Sequence, residues 1–412
     1  TEKLRAEGAD IHYEDNPDLI PAACRDKEHT LVVYTPAIPQ DHKELNYFKA
    51  NGFELQKRAQ LLGTLTRSMR GLCVAGTHGK TTTTAMTAHL LHQSHVGCNA
   101  FLGGITKNYG TNYLLNAESD FVVIEADEFD RSFHHLRPYA SVITATDADH
   151  LDIYGTEEAY LESFAHYSSL IRPEGALVIH RGLKMKERLQ EGVRRYDYSR
   201  EAGDFHAENV RIGGGRIVFD LVSPIEPIKD VELGVPVSVN IENGIAAMAL
   251  AQLAGAGAGE IRQAMATCSG VDRRFDFKLK TDRIVFLSDY AHHPAEIRQS
   301  ILSIREVFAG RKISAIFQPH LYTRTRDFYK DFADSRSLLD EVRLTSFVGG
   351  LLIAGFLIYP SHKHESRVNF VPWYDWVIMV LGAASFFYFC FNANTIVQQL
   401  PALKTYEVVL GV

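Results

Sequence analysis

Residues 75–84, AGTHGKTTTT, combine the residue types that handle a polyphosphate. Gly76 and Gly79 let the backbone turn tightly and bring its N–H groups against phosphate oxygens. A helix opening near Thr81 would direct its positive end at the same oxygens. Lys80 can neutralise charge on the β- and γ-phosphates, and the Thr81 hydroxyl can sit on Mg²⁺. Thr77, His78 and Thr82 complete the contact surface of such a loop. Val74 stands where a full GxxxxGK[ST] motif has its first glycine, so the signal is the longer run following an apolar strand.

Two further polar residues end apolar runs downstream. Glu125 closes the strand-like DFVVIE, and His150 lies in DADHLD after ASVITAT. A single Asp, Glu or His at a strand end is ordinarily a satisfied polar residue. Two at adjacent strand ends beside a phosphate loop suit a metal, and hard oxygen ligands with phosphates favour magnesium. Asn240 and Asn243 lie one helical turn apart, a spacing that also suits helix capping. Arg273 and Arg274 carry the planar fork that binds phosphate or carboxylate in pairs, or serve as solvated hinge charges. His292 and His293 are adjacent and so point apart in most backbones, which argues against a shared metal.

These residues need a scaffold that gathers strand ends. Residues 71–93 read as strand, glycine loop and helix; 120–130 and 140–152 read as buried strands ending in polar residues. Apolar strands of this kind indicate a parallel sheet, with ligands at the C-terminal edge. Residues 1–40 alternate short helical and strand patterns, with TEKLRAEGA helical and LVVYTPAIP (31–39) a buried strand. Residues 41–68 read as helical, with a short strand near Phe53 to Leu55. A β-rich stretch spans 204–240, turning at Gly213–Gly215, and an alanine-rich helix follows from Ile241 to about Gly255. RIVFLSDYAHHP (283–294), a helix and KISAIFQPH (312–320) repeat the strand–site–helix pattern of a second doubly wound unit.

The ordered motifs GTHGKTTTT, EADEFD, DADHLD, NIEN (240–243), GVDRRFDF (270–277), DYAHHPAEI (289–297) and QPHLYTRTRDF (318–328) resemble those of the Mur ligases over about residues 1–341. The resemblance implies an α/β fold of three parts. These are a partial N-terminal Rossmann-like domain for the UDP substrate (1–68), a central P-loop ATPase-like domain with a parallel sheet (69–274) and a partial C-terminal Rossmann-like amino-acid domain (275–341). It implies ATP and Mg²⁺ as cofactors. Lys80, with Gly76, Thr77, His78, Gly79, Thr81 and Thr82, would hold the phosphates; Asn240, Asn243 and Arg274 would hold the nucleotide. Thr81, Glu125 and His150 would be metal ligands, and His292 and Arg324 would belong to the amino-acid and acyl-phosphate site. QPHLYTRTRDF is similar to the members that add alanine, and residues 153–171 lack the lysine that later-acting members place there. The implied partners are UDP-N-acetylmuramate and L-alanine, joined in the cytoplasm through an acyl phosphate. A recycling member that adds a murein peptide is the alternative. The family's UDP-binding glycine loop is expected ahead of residue 1, where TEKLRAEGAD shows neither a methionine nor a signal peptide. That departure and the tail predict Mg-ATP binding with little ligation.

At 342–412 the texture changes. LTSFVGGLLIAGFLIY (344–359) and WVIMVLGAASFFYFCF (376–391) carry no charge and are flanked by aromatic residues. They read as an apolar helical tail of two membrane-spanning segments, each short of the ~20 residues a span needs. VNFVPWYDWVIMVLGAASFFY resembles membrane subunits of TRAP-type transporters. A membrane-anchored nucleotide-binding module, or a chimera without activity, are the readings that follow if the tail dominates. Elsewhere the composition, 46% hydrophobic and 23% charged, is that of a globular protein. A net charge of −7 gives no electrostatic reason to expect nucleic acid. The five cysteines form no metal-ligand spacing and read as reduced thiols.

Overall fold

The computed structural model describes residues 2–35, 38–292, 294–317, 329–344 and 407–411. The N-terminal part holds α1 (Glu2–Ala6), β1 (Leu31–Tyr34), α2 (Lys43–Ala50), β2 (Glu54–Lys57) and α3 (Arg58–Ser68). β1 and β2 pair in parallel. The predicted burial of β1 does not hold: Leu31 is 46% and Val33 42% exposed. Among the described residues β1 has one strand neighbour, so one of its faces stays open.

The central part contains β3 (Arg70–Ala75), α4 (Lys80–His92), β4 (Asn99–Thr106), β5 (Thr111–Leu114), β6 (Phe121–Glu125), β7 (Ala140–Ile143), α5 (Leu151–Tyr154), α6 (Glu157–Ser168), β8 (Ala176–His180) and β9 (Arg194–Tyr198). Its seven strands run in the order β5-β4-β6-β3-β7-β8-β9. Every pairing is parallel except the edge pair β4–β5. The inner strands are buried along their length, as continuous apolar runs require when both faces are covered. One face is covered by Phe133, Tyr160, Phe164 and Tyr167. The other carries α4 and, after a three-stranded antiparallel sheet of β10 (His206–Gly213), β11 (Arg216–Val222) and β12 (Ile228–Glu232), the helices α7 (Val239–Leu253) and α8 (Ala258–Thr267). α7 is buried through almost its whole length, and its alanines let it lie along α4. β3 sits where the chain turns to opposite sides of the sheet, pairing with β6 on one side and β7 on the other. Ligands bind at such a switch point.

The last part consists of β13 (Asp276–Lys280), β14 (Ile284–Ser288), α9 (Pro294–Val307), β15 (Lys312–Phe317), α10 (Tyr329–Arg336), β16 (Glu341–Leu344) and β17 (Glu407–Gly411). The sheet order is β13-β14-β17-β15-β16, parallel apart from β13. This corrects the expectation of an apolar helical tail: the tail is not wholly such an appendage, because EVVLG supplies the central strand of this sheet. Five short residues of mainly apolar character suffice for a buried parallel strand, but the longer charge-free runs before them dominate the sequence pattern. Among the described residues no helix is long and apolar enough to cross a membrane. The two runs read as spans lie outside the described residues, apart from Leu344 at the end of β16.

Candidate active site

The phosphate loop joins β3 to α4, and its shape depends on two glycines. Gly76 adopts φ +134°, and a Cβ there would lie 2.1 Å from Thr144 Oγ1 and 2.8 Å from the Ala145 nitrogen. The loop therefore passes flush against the end of β7, where the Thr77 N–H donates to the Ala145 carbonyl at 3.0 Å. Gly79 caps α4 in the left-handed region at φ +81°. A Cβ on Gly79 would approach Asn243 Oδ1 to 2.7 Å. The helix expected to open near Thr81 starts at Lys80.

Lys80 is turned into the loop. Its ammonium donates to the Gly76 carbonyl at 2.6 Å, the Thr77 carbonyl at 3.4 Å and Glu128 Oε1 at 2.8 Å. Thr81 Oγ1 donates to Glu125 Oε1 at 3.0 Å, and the Gly103 N–H donates to Glu125 Oε2 at 3.1 Å. Burial raises the pKa of both Glu125 and Glu128, against the pull of Lys80. Two desolvated carboxylates beside a phosphate loop carry excess negative charge, which a divalent cation would offset. The donor set of hydroxyl and carboxylate oxygens fits Mg²⁺.

The remaining expected residues divide. Asn240 and Asn243 are buried and partnered: Asn240 Nδ2 donates to the Val235 carbonyl at 3.1 Å, Asn243 Nδ2 to Asn240 Oδ1 at 3.0 Å, and Thr83 Oγ1 to Asn243 Oδ1 at 3.3 Å. Asn243 thereby meets the first turn of α4, directly behind the loop. His150 lies at the end of the β7 loop with φ +53°, its ring edge-on to Phe129 at 5.1 Å and Nε2 3.7 Å from Asp149 Oδ2. Thr81 and Glu125 are therefore in direct contact, whereas His150 makes contacts of its own. Among the described residues no group of three His, Cys, Asp or Glu is gathered as a ready metal cage. Arg274 stacks over the Tyr290 ring at 5.3 Å. His293 and the loop bearing Arg324 and Arg326 lie outside the described residues.

The third part reaches the loop through α9. His78 Nδ1 lies 3.5 Å from Glu296 Oε1, and the His292 N–H donates to Glu296 Oε2 at 3.1 Å. Burial alone would raise the Glu296 carboxyl, but His78 and the His292 amide outweigh it and bring the pKa to about 2. The His78 imidazole is shifted upward, chiefly by Glu296. A second junction is the buried Asp276, which receives the Lys107 ammonium at 2.5 Å and also pairs with Lys278. Burial opposes ionisation of Asp276, yet the two lysines hold its carboxyl below the usual range.

Sequence reasoning missed Gly103, Glu128 and Glu296. The signals were present: a glycine doublet inside the strand pattern FLGGIT, a second glutamate in EADEFD and one in the first turn of a helix.

Three family profiles match the chain: the Mur ligase catalytic domain over residues 1–70, the Mur ligase middle domain over 74–251 and the Mur ligase glutamate ligase domain over 273–353. A UDP-N-acetylmuramate–L-alanine ligase of Phocaeicola vulgatus is 68% identical over 344 residues, 84% of this chain and 75% of that protein. One from Parabacteroides distasonis is 64% identical over 84% and 75% of the respective chains. The crystal structure of UDP-N-acetylmuramate–alanine ligase from Thermotoga maritima superposes with a TM-score of 0.73 at 25% identity, covering 100% of this chain and 86% of that one. None of these comparisons supports the transporter resemblance of the tail.

Proposed function

The chain belongs to the Mur ligase family, and from that premise we propose that it joins L-alanine to the lactyl carboxylate of UDP-N-acetylmuramate at the expense of ATP. The carboxylate takes the γ-phosphoryl group, the alanine amine attacks the resulting acyl phosphate, and inorganic phosphate leaves. The observation that carries the reading is the approach of α9 to the phosphate loop, with His78 Nδ1 3.5 Å from Glu296 Oε1. It brings the His292 segment against the loop that handles the transferred phosphoryl group.

Each residue then has a role that its surroundings support. The loop amides and the N-terminus of α4 receive the phosphates, and Lys80 offsets the charge that spreads over the phosphoryl oxygens during transfer. Glu125 and Thr81 would hold Mg²⁺, which when bound neutralises phosphate charge and orients the nucleotide, with His150 as an outer ligand. His292 and Arg324 are assigned to the acyl phosphate and the amino acid. Asn240 and Asn243 keep the loop in register beneath the nucleotide, and Arg274 borders the site from the Tyr290 side. Approach of the third part excludes water from the acyl phosphate, which would otherwise hydrolyse.

Phosphate release measured with MgATP and UDP-N-acetylmuramate tests this. L-alanine should drive release, whereas L-glutamate and diaminopimelate should not. Equal release with a murein tripeptide would replace the alanine reading by the recycling one. Release independent of any amine would remove the ligase reading.

A further inference from the structure

Lys80 has a partner that its phosphate-binding role does not require. Its ammonium is 2.8 Å from Glu128 Oε1 and 2.8 Å from Oε2. Only the Oε1 contact has hydrogen-bond geometry, so Oε2 is buried without a hydrogen bond. Glu128 is 1% exposed and cannot swing into water. Its backbone is pinned as well: the Tyr154 hydroxyl donates to the Glu128 carbonyl at 2.5 Å, and the Arg131 N–H donates to it at 3.0 Å. An ammonium has three protons to donate. Here the Gly76 carbonyl, the Thr77 carbonyl and Glu128 take up those directions. The lysine that should meet the nucleotide is engaged by the loop itself and by a fixed carboxylate.

We propose that Glu128 is a positioning residue of the nucleotide site, a buried counter-ion that holds Lys80 against the loop and must yield it when ATP binds. Binding ATP then exchanges one buried ion pair for another, and part of the gain from Lys80–phosphate contact is spent on separating Lys80 from Glu128. Leaving a buried carboxylate without its partner is costly. Glu128 therefore weakens resting affinity and favours release of the spent nucleotide, a useful property where product departure limits turnover.

The proposal rests on the loop being the ATP site, so ATP binding to the unaltered chain, measured by isothermal titration with MgATP, is the control for that reading. Glu128→Gln keeps the shape and removes the charge. It should tighten MgATP binding about tenfold, the middle of the range for contacting charged groups. Glu128→Asp retains the charge at a longer reach and should fall between the two, and it serves in place of Glu128→Gln if that variant does not fold. The decisive arm repeats Glu128→Gln in a Lys80→Gln background. The gain should vanish there, because no ammonium remains to be released. A gain of the same size in that background would mean that Glu128 simply repels the phosphates, and would overturn the proposal. So would an unchanged or weaker affinity in Glu128→Gln with only the melting temperature altered.

Discussion

Replacing Gly103 by alanine should impair the metal site without substituting any proposed ligand. Gly103 lies on β4 beside the end of β6, and a Cβ there would fall 2.2 Å from Glu125 Oε2, 2.7 Å from its Cδ and 2.8 Å from Oε1. The whole carboxylate must move aside. The backbone need not move, because the obstacle is the far end of a flexible side chain, and loss of a glycine from a strand lowers the entropy of the unfolded chain, which returns about 0.4–1 kcal/mol. For the site it is expensive. Displacing Glu125 breaks the bonds from Thr81 Oγ1 at 3.0 Å and from the Gly103 N–H at 3.1 Å. Bonds to a charged group are each worth about 1.5–3 kcal/mol. If one such interaction is lost from the catalytic geometry, kcat/KM falls by about 10- to 100-fold. Phosphate release titrated with MgCl₂ at saturating ATP reads this out, with thermal melting as the fold control. The expected result is a right-shifted magnesium dependence in a protein that still melts cooperatively, at a Tm lowered by the lost bonds to Glu125. A wild-type magnesium titration would refute the reasoning, since it would mean that Glu125 need not stand where the structure places it.

Other outcomes follow from the same geometry. Lys80→Ala should reduce phosphate release by at least about a thousandfold, the scale of losing a cation from phosphoryl transfer; near-normal turnover at saturating ATP would refute its role. Gly76→Ala should destabilise the central part by about 3 kcal/mol, because backbone atoms of Ala145 as well as Thr144 obstruct the new methyl group; urea denaturation checks this. The His78–Glu296 contact should be strongest at mildly acidic pH. Glu296 is depressed to about 2, so its contribution is present above the carboxylate's ordinary 4.5 and fades as pH falls toward 2. His78 is raised above 6.5, so its contribution is present below 6.5 and is lost as pH rises through the shifted value. Amide exchange of α9 followed from pH 5 to 9 should show protection declining on the alkaline side in the wild type but not in Glu296→Gln.

The central part was the most legible in the sequence. FVVI (121–124) and ASVI (140–143) carry no charged residue because strands covered on both faces have no solvent-facing side, and the glycine loop announces itself by composition. What stayed hidden depended on distance rather than pattern. Gly103 matters only because β4 lies beside β6, and Glu128 only because the chain after β6 turns back toward Lys80. Asn240 and Asn243 looked equally like caps or ligands; what the pattern could not show is that Asn243 Oδ1 accepts from Thr83 and stands where a Cβ on Gly79 would fall. The exposed face of β1 was unreadable for a similar reason, since LVVY carries no mark of how many neighbours it will have. EVVLG was passed over because a five-residue parallel strand is weak beside two long apolar runs.

The fit of α7 against α4 has an evolutionary consequence. Where two helices approach closely on alanine and threonine surfaces and Asn243 fills the space a Cβ on Gly79 would need, substitutions are not independent. A larger residue on α7 becomes tolerable only after a smaller one has appeared opposite, and glycine at position 79 can be relinquished only if position 243 shrinks first. Change along this seam is therefore confined to ordered pairs of substitutions. The nucleotide loop should drift more slowly than its own chemistry demands, because a helix far along the chain constrains it.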